Sequence, residues 1–352
     1  MGKSKKLLSG LMFILIVALG LAACSSESSR ETKSDSKTEE KVETVKVGML
    51  KSLSNSSIYI GDEKGIFEKY GIDIEYVPFQ AAQPIAVAAQ TGDIDVGSTA
   101  LTAGFFNLLG KNSEVRLVAD SGREKENYKL TALVVSNDAF KSGVKSIKDL
   151  KGKKIGITQT GSSHHFMAGQ LLESAGLTID DVELVPLGGI SNVAAALESN
   201  QVDAGLLLST VGTPLLEKGS AHLITWIGDV VEMQTTSIFY SAQMIENKDV
   251  AERFLKAYVE SVRYYHDNVL NAADKNSEEF KSAVTVLSEQ TGISEQLVAD
   301  NLPYVDRDAT VWKENIGTWI NWFDDNGLLT DELDVNNVIA EELHAKVLKE
   351  LE

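Results

Sequence analysis

Apolar and polar positions recur along this chain in two registers 108 residues apart. "VKVGML" at 45–50 stands where "KKIGIT" stands at 153–158, and "VP" at 77–78 where "VP" stands at 185–186. "AVAAQTGDIDVG" at 86–97 likewise matches "AAALESNQVDAG" at 194–205. Three ordered matches at one offset mark an internal duplication. Each copy opens on a short apolar run (Val45–Leu50, Lys154–Thr158), the mark of a buried strand. A polar loop follows, then a helix pattern: "SIYIGDEKGIFEKYG" in the first copy, "HHFMAGQLLESAG" in the second. Ala168, Leu171, Leu172 and Ala175 repeat at i, i+3, i+4 and i+7, one apolar face. Gly176 stands where such a helix stops. A second strand ("IDIEYVPF", "VELVPLG"), a second helix and a third strand ("IDVGS", "VDAGLLLS") complete each copy. Strands alternating with helices build a parallel sheet with helices on both faces.

The pattern therefore predicts an α/β protein of two Rossmann-like lobes. "KLTALVVSND" (129–138) and "TTSIFYSAQ" (235–243) are extended, β-rich segments bracketing the second copy. Crossing there, they would form a two-crossover hinge near 130–138 and 234–242. The C-terminal block reads as helical. Its stretch "NKDVAERFLKAYVESVRYYHDNVL" carries a stripe of Phe254, Leu255, Tyr258 and Val262 that would pad the first lobe. The expected organisation is a leader at 1–23, a disordered tether at 24–44, lobe 1 at 45–133 plus 238–352, and lobe 2 at 134–237.

The N-terminus adds a compartment. "MGKSKK" is basic and "LLSGLMFILIVALGLAAC" is apolar and uncharged, the order of a secretory signal. Leu21, Ala22, Ala23 and Cys24 match the lipobox at which bacterial lipoproteins are diacylated and cut. Cys24 is the chain's one cysteine, so no internal disulfide is available and lipidation gives the residue a purpose. The expected location is the extracytoplasmic face of the cell membrane, held by the lipid anchor only. Charge narrows the partners. The chain has 33 Lys+Arg against 51 Asp+Glu, a net −18; losing Lys3, Lys5 and Lys6 with the leader makes the mature chain −21. Nucleic acid and anionic membrane surfaces are unsuited to it. An anionic solute would have to be held by short, oriented hydrogen bonds against this field.

Five segments occur in order behind the lipobox: "GDEKGIFEKYGIDIEYVPF", "AAQTGDIDVGSTA", "IKDLKGKKIGITQTGSSHHF", "ALESNQVDAGLLLSTVGTPLLEKG" and "DVAERFLKAYVESVRYYHDN". Together the series resembles the substrate-binding proteins of ABC importers for sulfonates, nitrate and thiamine-pyrimidine precursors. The resemblance covers essentially the whole mature chain. It implies the periplasmic-binding-protein type 2, or Venus-flytrap, fold. It also implies a monomer without cofactor that captures a small solute between its lobes. Delivery would be to permease subunits served by a cytoplasmic ATPase.

In open parallel sheets, ligands sit beyond the carboxyl ends of the strands. "TGSSHH" lies at such an end and opens a helix, where free N–H groups and the positive end of the dipole meet a ligand. The resemblance places Ser162, Ser163 and His164 at the anionic head of the solute, and a protonated His164 would tighten binding at low pH. The repeat points to Ser54, Asn55 and Ser56 on the opposing wall. Gln80 and Gly188 end the second strands; Ser98 with Thr99, and Ser209 with Thr210, end the third. Relatives often carry an aromatic and a carboxylate near Leu208 and Ser209. The run "LLLST" has neither, which argues against an amine-bearing solute. A small organic anion, sulfonate- or nitrate-like, is the first expectation, and a neutral heteroaromatic such as a thiamine-pyrimidine precursor the alternative. Arg123 reads as a solvated loop residue, Trp319 and Trp322 as core, and Trp226 as the better stacking candidate. An enzyme is not expected: G-x-S-x-G and a Walker A loop are missing, and His164-His165 lacks a third catalytic partner. Nor is a metal receptor, since histidines 164, 165, 222, 266 and 344 form no convergent set.

Overall fold

The structure, a computed structural model, describes residues 42–110 and 113–352. Cys24, the leader and nearly all of the expected tether lie outside the described residues. The chain enters at β1 (Glu43–Leu50), two residues before the expected lobe boundary. Glu43 and Thr44 are polar, but they pair in register with Ile72 and Asp73, so the ladder extends past the apolar run.

Lobe 1 is a five-stranded sheet of order β2-β1-β3-β10-β4, with β2 at Ile72–Phe79, β3 at Val96–Ala100, β4 at Arg116–Glu124 and β10 at Met233–Tyr240. Lobe 2 repeats the plan as β7-β6-β8-β5-β9, with β5 at Thr131–Ser136, β6 at Lys154–Ile157, β7 at Glu183–Pro186, β8 at Ala204–Leu208 and β9 at Ala221–Trp226. In each sheet three strands run parallel, and a fourth, β10 or β5, runs antiparallel beside the third. The duplication is visible atom by atom. The Asp95 carboxylate accepts the Lys46 N–H at 2.8 Å, and 108 residues on Asp203 accepts the Lys154 N–H at 2.8 Å.

The lobe junction differs from expectation. Both β5 and β10 lie wholly within one sheet, so the crossings fall at 125–130 and 227–232. The reason is burial: every residue of β5, and all of β10 except Thr236, is buried, and a strand packed on both faces has no slack to bridge lobes. The two crossings touch. Lys125 pairs with Glu232 at 2.7 Å, and the Asn127 N–H donates to Asp229.

Helices cover both sheets. In lobe 1 they are α1 (Ser56–Glu63), α2 (Ala82–Thr91) and α3 (Ala103–Leu109); in lobe 2, α4 (Ser163–Ser174), α5 (Ile190–Glu198) and α6 (Ser209–Glu217). The first predicted helix is split at Gly65, ending α1 early. The C-terminal block supplies α7 (Lys248–Tyr265), α8 (Glu278–Thr291), α9 (Lys313–Asp325) and α10 (Glu341–Glu350). The α7 stripe Phe254, Leu255, Tyr258 and Val262 is buried against lobe 1 as predicted. Each such side chain contributes ~1.5–3 kcal/mol on leaving water. Helix α9 behaves differently: its aromatic face packs into a core cluster shared by both lobes.

Candidate functional site

The strand ends of both sheets face one cavity of about 310 Å³. The predicted residues Ser54, Asn55, Gln80, Ser98 and Thr99 line it from lobe 1, and Ser162, Ser163, His164 and Gly188 from lobe 2. Three predicted residues do not. The Ser56 hydroxyl turns back to Leu53 O at 2.6 Å inside the first turn of α1. Ser209 is buried at the start of α6, its N–H bonded to Leu130 O, and neither it nor Thr210 lines the cavity. Leu208 does so instead. Arg123 is not a solvated loop residue either. It lies in β4, 2.9 Å from the buried Asp120 and over the Trp312 ring. Trp226 packs with the lobe 2 core rather than at the cavity.

Sequence reasoning missed Thr131, Thr158, Gln159, Thr235 and Thr236, which also line the cavity. Thr158 and Gln159 follow β6 directly and the strand-end rule would have found them. Thr235 and Thr236 come from an antiparallel strand that the parallel repeat gives no reason to search.

The lining is uncharged. Among the described residues, no Asp, Glu, Lys, Arg, Phe, Tyr or Trp reaches it. Its polarity comes from hydroxyls, amides and backbone. Helices α1, α2, α4 and α5 all start here, and their N-cap residues Asn55, Ala81, Ser162 and Gly189 all line the cavity. The first N–H groups of a helix have no intrahelical acceptor. Only Ser162 of these four caps its helix through its side chain, accepting the His165 N–H. Asn55 spends its side chain elsewhere: its amide donates to Leu50 O and its oxygen accepts the Ser98 hydroxyl at 2.5 Å. Ala81 and Gly189 have no capping oxygen. The cavity therefore collects helix N-termini and the positive ends of several helix dipoles.

Among the described residues, three buried side-chain atoms at this cavity have no hydrogen-bond partner: Thr99 Oγ1, His164 Nδ1 and Thr236 Oγ1. A buried unpaired polar atom is costly, and a ligand is one way to satisfy it. Burial pushes the His164 pKa down to about 4, so the ring is neutral near pH 7. The charge expected of it is thus withheld by desolvation, and it offers a neutral nitrogen instead. His165 faces away. Its Nδ1 accepts the Gly161 N–H at 3.0 Å, and its ring meets Trp322 edge-on. Gly161 has φ 76°, a left-handed turn that glycine adopts without strain, and its carbonyl accepts the Ala103 N–H across the lobes at 2.9 Å. Leu50, Met167, Ile190 and Leu208 supply apolar wall. The arrangement can hold a polar or anionic head with neutral donors and cover a short apolar body.

A family model described as NMT1/THI5 like matches residues 53–271. A protein of Brucella abortus (strain 2308) named as a binding protein is 26% identical over 280 residues, 76% of this chain and 81% of its own. A protein of Bacillus subtilis (strain 168) named for aliphatic sulfonates binding is 25% identical over 277 residues, 76% of this chain and 77% of its own. Among solved structures, the periplasmic aliphatic sulphonate binding protein SsuA from Escherichia coli superposes with a TM-score of 0.68 at 20% identity, over 84% of this chain and 92% of that one. Two lobes around an uncharged cleft are thus matched along most of their length to proteins named as binding proteins. The chain belongs to the NMT1/THI5-like family.

Proposed function

We propose that this protein is the extracytoplasmic receptor of an ABC importer and takes a small organic monoanion, an alkanesulfonate foremost. The observation that carries the reading is the cavity wall: helix N-termini from both lobes and, among the described residues, no carboxylate. Oriented N–H groups and hydroxyls favour a negative head, while a protonated amine would find no partner. The apolar residues at Leu50, Met167, Ile190 and Leu208 suit a short alkyl body. The names of the Bacillus and Escherichia relatives support the same solute class. A flat heteroaromatic would lack an aromatic side chain to stack on. The lipobox supports anchoring through a diacylated Cys24, and the family resemblance supports delivery to a permease.

Calorimetry with 1-pentanesulfonate, pentanamide, taurine and a hydroxymethylpyrimidine tests the solute class. Binding of the first alone is the expected result. Binding of the pyrimidine or the amide in preference to the sulfonate would overturn the anion reading. A Cys24→Ala chain should be released from the membrane; unchanged retention would overturn the anchor.

A further inference from the structure

Helix α9 follows lobe 1's last strand, and both of its flanks are tied to lobe 1. Before it, the Arg123 N–H donates to Tyr304 O, the Asp120 N–H to Ala309 O, and the Trp312 N–H to the Gln234 side chain at 2.7 Å. After it, the Asn107 side chain grips Leu328 O and the Thr330 N–H, and the Ala340 N–H donates to Leu117 O. The helix itself is also pinned to β10, since the Trp319 indole N–H donates to Gln234 O at 3.0 Å.

Its aromatic face nevertheless lies on lobe 2. Trp319, fully buried, stacks on Phe166 of α4 with centroids 3.7 Å apart and planes 20° apart. Trp322 donates to Glu173 of α4 at 3.1 Å and stands edge-on to both His165 and Phe166. The helices meet where α4 has Gly169, and a Cβ there would overlap the Trp322 indole. Phe323 links the same stack to Phe106 of lobe 1. Helix α4 is the element whose first turn brings Ser163 and His164 to the cavity.

We infer that α9 is a positioning arm of the binding site: carried at both ends by lobe 1, it holds α4, and with it Ser163 and His164, in register with the lobe 1 wall through Trp319 and Trp322. The inference rests on the cleft being the binding site, whatever solute fills it. Besides the two crossings of the chain and the Ala103–Gly161 hydrogen bond, the lobes are thus joined by this aromatic link. Separating the lobes must either shear the Phe166–Trp319 stack or carry α9 along with lobe 2.

The test is Gly169→Ala, read first without ligand by hydrogen–deuterium exchange. Faster exchange confined to 161–168 and 313–325, with both sheets protected as before, is the expected result. Adding Trp322→Phe to Gly169→Ala makes room for the methyl and should restore protection. For 1-pentanesulfonate, Gly169→Ala should weaken binding about tenfold, the worth of one oriented hydrogen bond, and the double variant should recover it. Unchanged exchange at 161–168 in a folded Gly169→Ala protein would overturn the inference, as would a uniform rise across the chain. If Gly169→Ala fails to fold, Trp322→Ala opens the same contact and is read the same way. A wild type that ignores 1-pentanesulfonate counts against the solute class alone, because the exchange measurement needs no solute.

Discussion

Glu124 ends β4 where the chain leaves lobe 1, and its carboxyl is fully buried. Its Oε2 accepts the Thr131 N–H at 3.4 Å, from the far end of the first crossing, and its Oε1 has no hydrogen-bond partner among the described residues. The Gly228 N–H of the second crossing also faces it. The neighbouring cation gives no help, since Lys125 is engaged with Glu232. Burial consequently pushes the Glu124 pKa from 4.5 to about 8. An unfolded chain releases this proton near 4.5. The protonated carboxyl's contribution to stability is then complete below pH 4.5 and is lost progressively as pH rises from there through about 8. At ~1.4 kcal/mol per unit, the loss reaches on the order of 4–5 kcal/mol by pH 9. Glu124→Gln keeps the size and the acceptor but cannot ionise. Urea unfolding of both proteins from pH 5 to 9 should give a difference curve that climbs with pH in favour of the glutamine and flattens above 8. At pH 5 the two should be close, or the glutamine slightly worse, because its extra N–H adds an unpaired donor. Titrations shared by both proteins, such as that of Asp120 near 6, cancel in the difference. A difference independent of pH would refute the reasoning.

Other predictions concern the cavity. Ser162 is the cap of α4 and Ser163 is not, so Ser162→Ala should cost ~1 kcal/mol in ligand-free melting. Ser163→Ala should leave that melting unchanged while weakening 1-pentanesulfonate roughly tenfold by calorimetry; a drop in melting with unchanged affinity would make Ser163 structural. Thr99→Val removes an unpartnered buried hydroxyl, so ligand-free stability should hold or rise in a melting scan while affinity falls. Because burial holds His164 down at about 4, affinity should be flat between pH 5.5 and 8, and steady tightening toward acid would mean the ring is charged in the complex.

How far the sequence could be read depended on what the duplication constrains. Paired strands repeat because their hydrogen bonds repeat, as Asp95 and Asp203 show with one bond at one length in each lobe. That regularity pointed to Asn55 and Thr99, which line the cavity. It failed by one residue at the starts of α1 and α6. Ser56 and Ser209 are small, polar and adjacent to the cavity, but the helical turn rotates each side chain about 100° from its predecessor. The Ser56 hydroxyl then finds a backbone partner, and the neighbours Asn55 and Leu208 take the wall. Pattern also cannot weigh desolvation. His164 in a polar loop reads as a proton carrier; only its burial beside the cleft's uncharged wall makes it a neutral one.

The deepest gap is α9, and its cause is physical rather than accidental. Trp319 and Trp322 are three apart on one helical face, so periodicity marks them as buried without saying against what. Their partners, Phe166 and Gly169, lie about 150 residues earlier in the other lobe. Gly169 in the middle of a helix is the one local signal. A glycine there costs ~1 kcal/mol against alanine, a penalty that a close helix–helix approach repays. A solute held between lobes needs both walls fixed to within a hydrogen bond's tolerance. The two chain crossings join the walls through the backbone; the aromatic contact between α9 and α4 joins them through side chains.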